Sequence, residues 1–166
     1  MKIILKNTKT DKEKEATISK ILKKDLPLKK DGWQFNWRQL YKIEGAEIYK
    51  LSTEEKPKMI EGMLMLTIFN EEMVFMNNIE IAPHNYGSKG VYKEVAGCLI
   101  AFSCVESFER GKEGYNGFLS FDSKTKLIEL YQNKYGAKIA MGNKMYFDPV
   151  AGKALMKKYL NIDSKY

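Results

Sequence analysis

Residues 62–102 read GMLMLTIFNEEMVFMNNIEIAPHNYGSKGVYKEVAGCLIAF, and this stretch limits the fold more than any other. Two apolar runs of strand length flank the polar triplet NEE, the pattern of a hairpin with a short turn, so two neighbouring strands are expected. A glycine-spaced loop follows. Val91, Val95, Leu99, Phe102, Val105 and Phe108 then recur every three or four residues, which predicts one buried stripe on a helix of about five turns closed by Gly111. Because YNGFLSF after that helix alternates as a strand does, residues 72–121 read as strand, helix, strand, a crossover that demands parallel neighbours. The hairpins demand antiparallel ones. A mixed sheet is the consequence.

The flanking segments fill in the rest. KIILK near the start reads as a strand, and DKEKEATISKILKKDLP as a basic helix, since Ala16, Ile18, Ile21 and Leu22 stand at near-helical spacing before Pro27. DGWQFNWRQLYKI mixes aromatic with polar residues after an Asp-Gly turn and has no clear period, so an irregular or partly extended segment is expected. AEIYKLS is a further strand. KTKLIELYQNKYG predicts an amphipathic helix closed by Gly136, KIAMGNKMYFD a hairpin turning at Gly142 and Asn143, and PVAGKALMKKYL a helix that starts at Pro149. The expected fold is α/β (α+β): a single domain over residues 1–166 with a mixed, mostly antiparallel central sheet of about seven strands flanked by helices.

Composition narrows the setting. With 166 residues, 44% of them apolar, the chain suffices for one ordinary core. No run approaches the roughly 18 apolar residues of a membrane span, and the N-terminal MKIILKNTKTDKEKE turns polar too soon for a signal peptide, so a cytoplasmic protein without a membrane partner is expected. Cys98 and Cys104 lie six apart on one predicted helix and match no metal spacing, which makes them packing residues. His84 is the one histidine, so no metal site is expected, and no G-x-S-x-G elbow supports a hydrolytic triad. The net charge of +7 is concentrated at the front, where residues 1–60 hold 15 basic and 9 acidic side chains. Solvated lysines explain that asymmetry most simply; an acidic partner such as nucleic acid is the less favoured explanation.

The loop before the long helix is the chemical feature. A helix N-terminus leaves amides without intrahelical partners and carries partial positive charge, which suits a phosphate or diphosphate. Gly87 and Gly90 would let the backbone come close, Ser88 would add a hydroxyl, and Lys89 and Lys93 charge at the rim. A plain connection with solvated lysines accounts for the same residues. There is no G-x-x-x-x-G-K-[ST], and no G-x-G-x-x-G with a ribose-binding acid after it, so nucleoside triphosphatase and dinucleotide readings are disfavoured.

Taken together, the strand ending NNIEIAP, the loop, the helix YKEVAGCLIAF, the strand YNGFLSF, the helix KTKLIELYQNKYGAK and the hairpin KIAMGNKMYFD resemble the GNAT superfamily of N-acetyltransferases over residues 60–148. The resemblance implies acetyl-CoA as cofactor, with its pyrophosphate on the loop amides and its pantetheine arm along the preceding strand. Ile79 and Ile81, Ser88 to Lys93 (Ser88, Lys89, Gly90, Val91, Tyr92, Lys93), Val95, Ala96, Gly97 and Lys124 would then form the cofactor site. Anchoring the family's loop pattern on Gly90 puts Gly87 and Tyr92 in its outer places. Anchoring it on the helix puts Glu94 and Ala96 in the glycine places, and this second alignment is preferred. LYQNKYGA resembles the family's helix ending, so Tyr131 would be the general acid, with Tyr135 as a competitor.

Acetyl transfer to an amine needs a neutral nucleophile, a polarised carbonyl and a proton for the leaving thiolate. Glu80 alternates with Ile79 and Ile81, so it would take the amine's proton, directly or through water, if its side faces the substrate cleft, and is otherwise a solvated strand residue; Asn78 shares its face. His84 is a weaker base candidate, and Trp33, Phe35, Trp37 and Tyr41 line the acceptor side or else cap the core. The function expected is N-acetylation of a small molecule, peptide or protein amine. A GNAT-like module without turnover, binding nucleic acid or a protein partner, is the alternative, and an acyltransferase acting on charged tRNA is a third. A homodimer is compatible with all three.

Overall fold

The computed structural model describes residues 1–163 and 166. In chain order the elements are β1 (Lys2–Asn7), β2 (Glu13–Lys20), α1 (Trp37–Leu40), β3 (Glu47–Thr53), β4 (Gly62–Phe69), β5 (Met73–Ile81), β6 (Tyr92–Lys93), α2 (Val95–Arg110), β7 (Leu119–Asp122), α3 (Ile128–Tyr135), β8 (Lys138–Met141), β9 (Lys144–Phe147) and α4 (Pro149–Leu160). The nine strands follow the order β6-β1-β2-β3-β4-β5-β7-β9-β8. Two strands exceed the expected seven: β2 and the two-residue β6.

The chain forms two compact units, Met1–Met65 with Asn78–Leu99 and Leu66–Asn77 with Ile100–Tyr166. In the first, β2 replaces the expected basic helix. Ala16 and Ile18 alternate into the core while Thr17 and Lys20 do not, and β2 pairs on both sides, with Thr17 opposite Lys2 of β1 and Ser52 of β3. Two neighbours that satisfy its backbone and bury a period-two face outweigh a helical spacing of four apolar residues. The core of this unit gathers Ile21, Leu26, Trp33, Trp37, Ile48, Met63, Met65 and Ala82. Asn36 caps the short α1 by accepting from the Gln39 amide.

In the second unit β5 and β7 are parallel, with Val74 opposite Leu119 and Phe75 opposite Ser120, as the crossover requires. β7 pairs antiparallel with β9, which turns back to β8. Phe121 stacks on Phe147 at 5.2 Å. Gly136 ends α3 with φ 78°, a conformation cheap only for glycine, and Asp148 caps α4 through the Ala151 amide at 2.8 Å. No helix among the described residues is long and apolar enough to cross a membrane.

Both cysteines are buried, and neither forms a disulfide. Burial, with Glu94 adding to it, pushes the Cys98 thiol up to about 12, and burial raises Cys104 as well. Since the thiolate is the reactive form, neither should be alkylated by iodoacetamide in the folded protein at neutral pH, and both should react once it is unfolded. Mass spectrometry of the labelled protein reads this directly.

Candidate active site

Between β5 and α2 the backbone makes two single 3-10 turns, Pro83–Asn85 and Gly87–Lys89. Its donors are largely consumed within the loop: the Gly90 amide bonds the Gly87 carbonyl (3.2 Å), the Val91 amide the His84 carbonyl (3.1 Å), and the Tyr92 amide the Asn85 Oδ1 (3.0 Å). An amide nest around Gly90 to Tyr92 is therefore corrected. Tyr92 and Lys93 instead form β6 against Asn7 and Lys6, and the Val91 carbonyl accepts from Thr8, so α2 starts four residues later than its periodicity implied.

The helix's first amides lie further on. Glu94 takes φ 59°, and its carbonyl accepts the first recorded α2 bond, from Cys98 at 3.0 Å. The amides of Val95, Ala96 and Gly97 precede that bond and have no intrahelical acceptor. Ser88 and Lys89 are exposed nearby in sequence, whereas the Lys93 ammonium is held by Asp11 at 2.7 Å, which lowers the Asp11 carboxyl below its ordinary range. Gly90 also has a role other than the expected one. A Cβ there would lie 2.5 Å from the Asn85 carbonyl oxygen, so the loop's own packing requires glycine. Gly90→Ala should cost about 1–3 kcal/mol, measurable by denaturant unfolding.

Glu80 is buried, and its oxygens accept from the amides of Gln34 (2.5 Å) and Phe35 (3.3 Å), from the Trp37 indole (2.9 Å) and from the Tyr86 hydroxyl (3.3 Å). Four donors thus converge on one carboxylate, and Glu80, expected from its place on β5 to take the amine's proton, ties the aromatic segment to that strand. Trp37 is likewise corrected from acceptor lining to core, at 0% exposure. Trp33, 7% exposed, still borders a cleft of about 480 Å³ with Asp25, Asp31, Lys58 and His84. Asn78, Ile79 and Ile81 are half-buried along β5.

Sequence reasoning missed Glu61 and Asn85. Glu61, 1% exposed, accepts from His84 Nε2 at 2.6 Å and from Asn85 Nδ2 at 2.8 Å. The available signal was an acid set directly against a buried apolar run, where an unpartnered carboxylate would be too costly to keep.

In the second unit Tyr131 sits on α3 with its ring 4.7 Å from Phe121 and 6.0 Å from Tyr135. Burial raises its hydroxyl above the ordinary tyrosine value. Tyr135 is buried against Tyr159. Lys124 is exposed, and its carbonyl accepts from Leu127 and the Ser123 hydroxyl as the chain turns into α3. A cleft of about 440 Å³ is lined by Phe69, Met73, Phe75, Asn77, Ser120 and Lys144, among others.

No protein-family model and no curated protein matches the sequence. Solved structures do match. A GNAT family acetyltransferase from Elizabethkingia anophelis with acetyl-CoA bound shares 18% identity at TM-score 0.54, over 76% of this chain and 78% of that one. A mutant of the AtaT toxin bound to the C-terminus of the antitoxin AtaR gives 12% identity and TM-score 0.62, over 84% and 97%. Ribosomal-protein-alanine N-acetyltransferase from Brucella melitensis biovar Abortus 2308 gives 15% and 0.54, over 76% and 96%. With these likenesses and its own crossover through β5, α2 and β7, the chain has the fold of the GNAT acetyltransferases.

Proposed function

We propose that the protein is an acyl-CoA-dependent N-acetyltransferase that moves an acetyl group from acetyl-CoA to an amine. The observation that carries this reading is the start of α2, where three consecutive amides, those of Val95, Ala96 and Gly97, stand ahead of the helix's first recorded bond. A 16-residue helix adds its partial positive charge there, and Lys89 supplies a full one, so these residues fit a diphosphate. Acetyl-CoA supplies an activated thioester carbonyl when bound. Tyr131, kept protonated by burial, is the group suited to give a proton to the departing sulfur. With Glu80 occupied by its four donors, the acceptor enters as the neutral amine, and the rate rises with pH through the amine's own titration; as the C–N bond forms and the C–S bond breaks, the nitrogen gives one proton to water, and Tyr131, having protonated the sulfur, regains its proton from water.

Calorimetric titration with acetyl-CoA tests this. A Kd on the order of ten micromolar is expected, within the range usual for enzyme substrates, weakened several-fold in Lys89→Ala, with acetylation of an amine panel following. Absence of binding at millimolar acetyl-CoA would reject the enzyme and leave the binding module. An acceptor carried on nucleic acid is the second reading, favoured by Lys23, Lys24, Lys29 and Lys30, all exposed between β2 and α1. Its mark would be an acceptor KM that climbs steeply with salt.

A further inference from the structure

Two adjacent residues, Glu61 and Gly62, touch both ends of the segment that leads into α2. Glu61 reaches the beginning of the loop: its carboxylate accepts from His84 Nε2 at 2.6 Å and Asn85 Nδ2 at 2.8 Å, while its backbone carbonyl accepts from Asn85 Nδ2 at 3.1 Å and from the Ala82 amide at 2.9 Å. Gly62 reaches the end. A Cβ on Gly62 would lie 2.8 Å from Val95 Cγ1 and 2.9 Å from Leu99 Cδ1, so the strand is pressed directly on the first turn of α2.

Asn85 joins the two contacts. It is 4% exposed; its Nδ2 is spent on Glu61 while its Oδ1 accepts the Tyr92 amide at 3.0 Å. Its backbone carbonyl oxygen lies 2.5 Å from where a Cβ on Gly90 would fall. The one buried amide side chain therefore ties residue 61 to residue 92, and the backbone of the same residue packs on Gly90. A carboxylate as enclosed as Glu61 is unfavourable unless its charge is met by donors, and both donors recorded here come from the loop and not from a lysine or arginine. The cost of enclosing it is thereby linked to one loop conformation: if the loop opens, Glu61 loses both.

We propose that Glu61 is the positioning residue of the anion site, acting through Asn85 to hold the loop in the one shape that presents the α2 amides at Glu94. The inference rests on the acetyl-CoA reading for its ligand, but its structural half does not. His84, the second donor, shares its cleft with Asp25, Asp31 and Lys58, and Glu61 is the carboxylate bonded to its ring.

The experiment compares the full chain with Glu61→Gln and Asn85→Ser by amide hydrogen exchange and by acetyl-CoA kinetics. Exchange at Gly90, Val91 and Tyr92 is expected to speed up at least tenfold in both variants, with the β1 and β2 amides unchanged. KM for acetyl-CoA should rise about tenfold with kcat within twofold, and the double variant should be no worse than the worse single one, since both act through one contact. Should Glu61→Gln fail to fold, Asn85→Ser carries the same expectations. Unchanged exchange at Tyr92 would overturn the proposal whatever the ligand. Faster exchange with unaltered KM would also overturn it, by separating loop shape from binding. If the wild-type protein bound no acetyl-CoA, the enzyme reading would fall by itself and exchange would still decide whether Glu61 holds the loop.

Discussion

Tyr131→Phe is expected to lower kcat about a hundredfold while leaving the Kd for acetyl-CoA within twofold. The phenylalanine ring keeps the contact with Phe121 at 4.7 Å, so the substitution removes a hydroxyl and little else. Positioned acid catalysis contributes typically 10²–10⁴-fold, and a hundredfold corresponds to about 2.7 kcal/mol of barrier. Because burial raises this hydroxyl above its ordinary value, the acid stays protonated through pH 9 and sets no limit on the rate there. The sign for stability follows. A tyrosine whose folded pKa lies above its unfolded value holds its proton more tightly when folded, so stability falls as pH climbs past about 10 and through the folded value. Tyr131→Phe should flatten that alkaline decline. A kcat equal to wild type would remove Tyr131 as the acid and direct attention to Tyr135.

Trp37→Ala should cost about 4 kcal/mol of unfolding free energy, the largest stability loss expected of a single substitution here. Trp37 is fully buried among Trp33, Ile48, Met63 and Met65, and truncating an indole in such a place removes transfer energy and leaves a cavity, about 3–5 kcal/mol together. It also takes one of four donors from the buried Glu80. Trp37→Phe separates the two effects: it retains most of the apolar volume and should cost only about 1–3 kcal/mol, the share assignable to the lost donor. Urea unfolding of the two variants makes the comparison. A Trp37→Phe variant as stable as the wild type would mean that Glu80 does not depend on the indole.

Legibility in the sequence followed the range of the interactions involved. β3, the β4–β5 hairpin, α3 with its Gly136 cap and the β8–β9 turn are decided by neighbours along the chain, and period and turn chemistry predicted each of them. β2 was misread because Ile18, Ile21 and Leu22 stand at helical spacing while Ala16 and Ile18 also alternate as a strand does, and the choice was made by β1 and β3 on either side. β6 is two residues long and exists only by pairing with β1, which no local pattern announces. The same holds for the site. Tyr131 and the region before α2 were visible as residue types in order, but three of the four donors of Glu80 lie 43 to 46 residues away along the chain in the aromatic segment, and Glu61 meets His84 and Asn85 across 23 and 24 residues. Glu80, the one carboxylate given a chemical role from the sequence, meets partners that no local pattern announces.

The pairings that join the ends of long excursions, β1 with β6 and β5 with β7, carry a kinetic consequence. Closing them requires the intervening chain to be gathered first, an entropic barrier that local hairpins escape. Pulse-labelled refolding should accordingly find the β1–β2 amides shielded early and those of β6 and β7 late. The region proposed to receive the cofactor would be among the last parts of the molecule to mature, so a newly made chain would possess its scaffold before it possessed its grip.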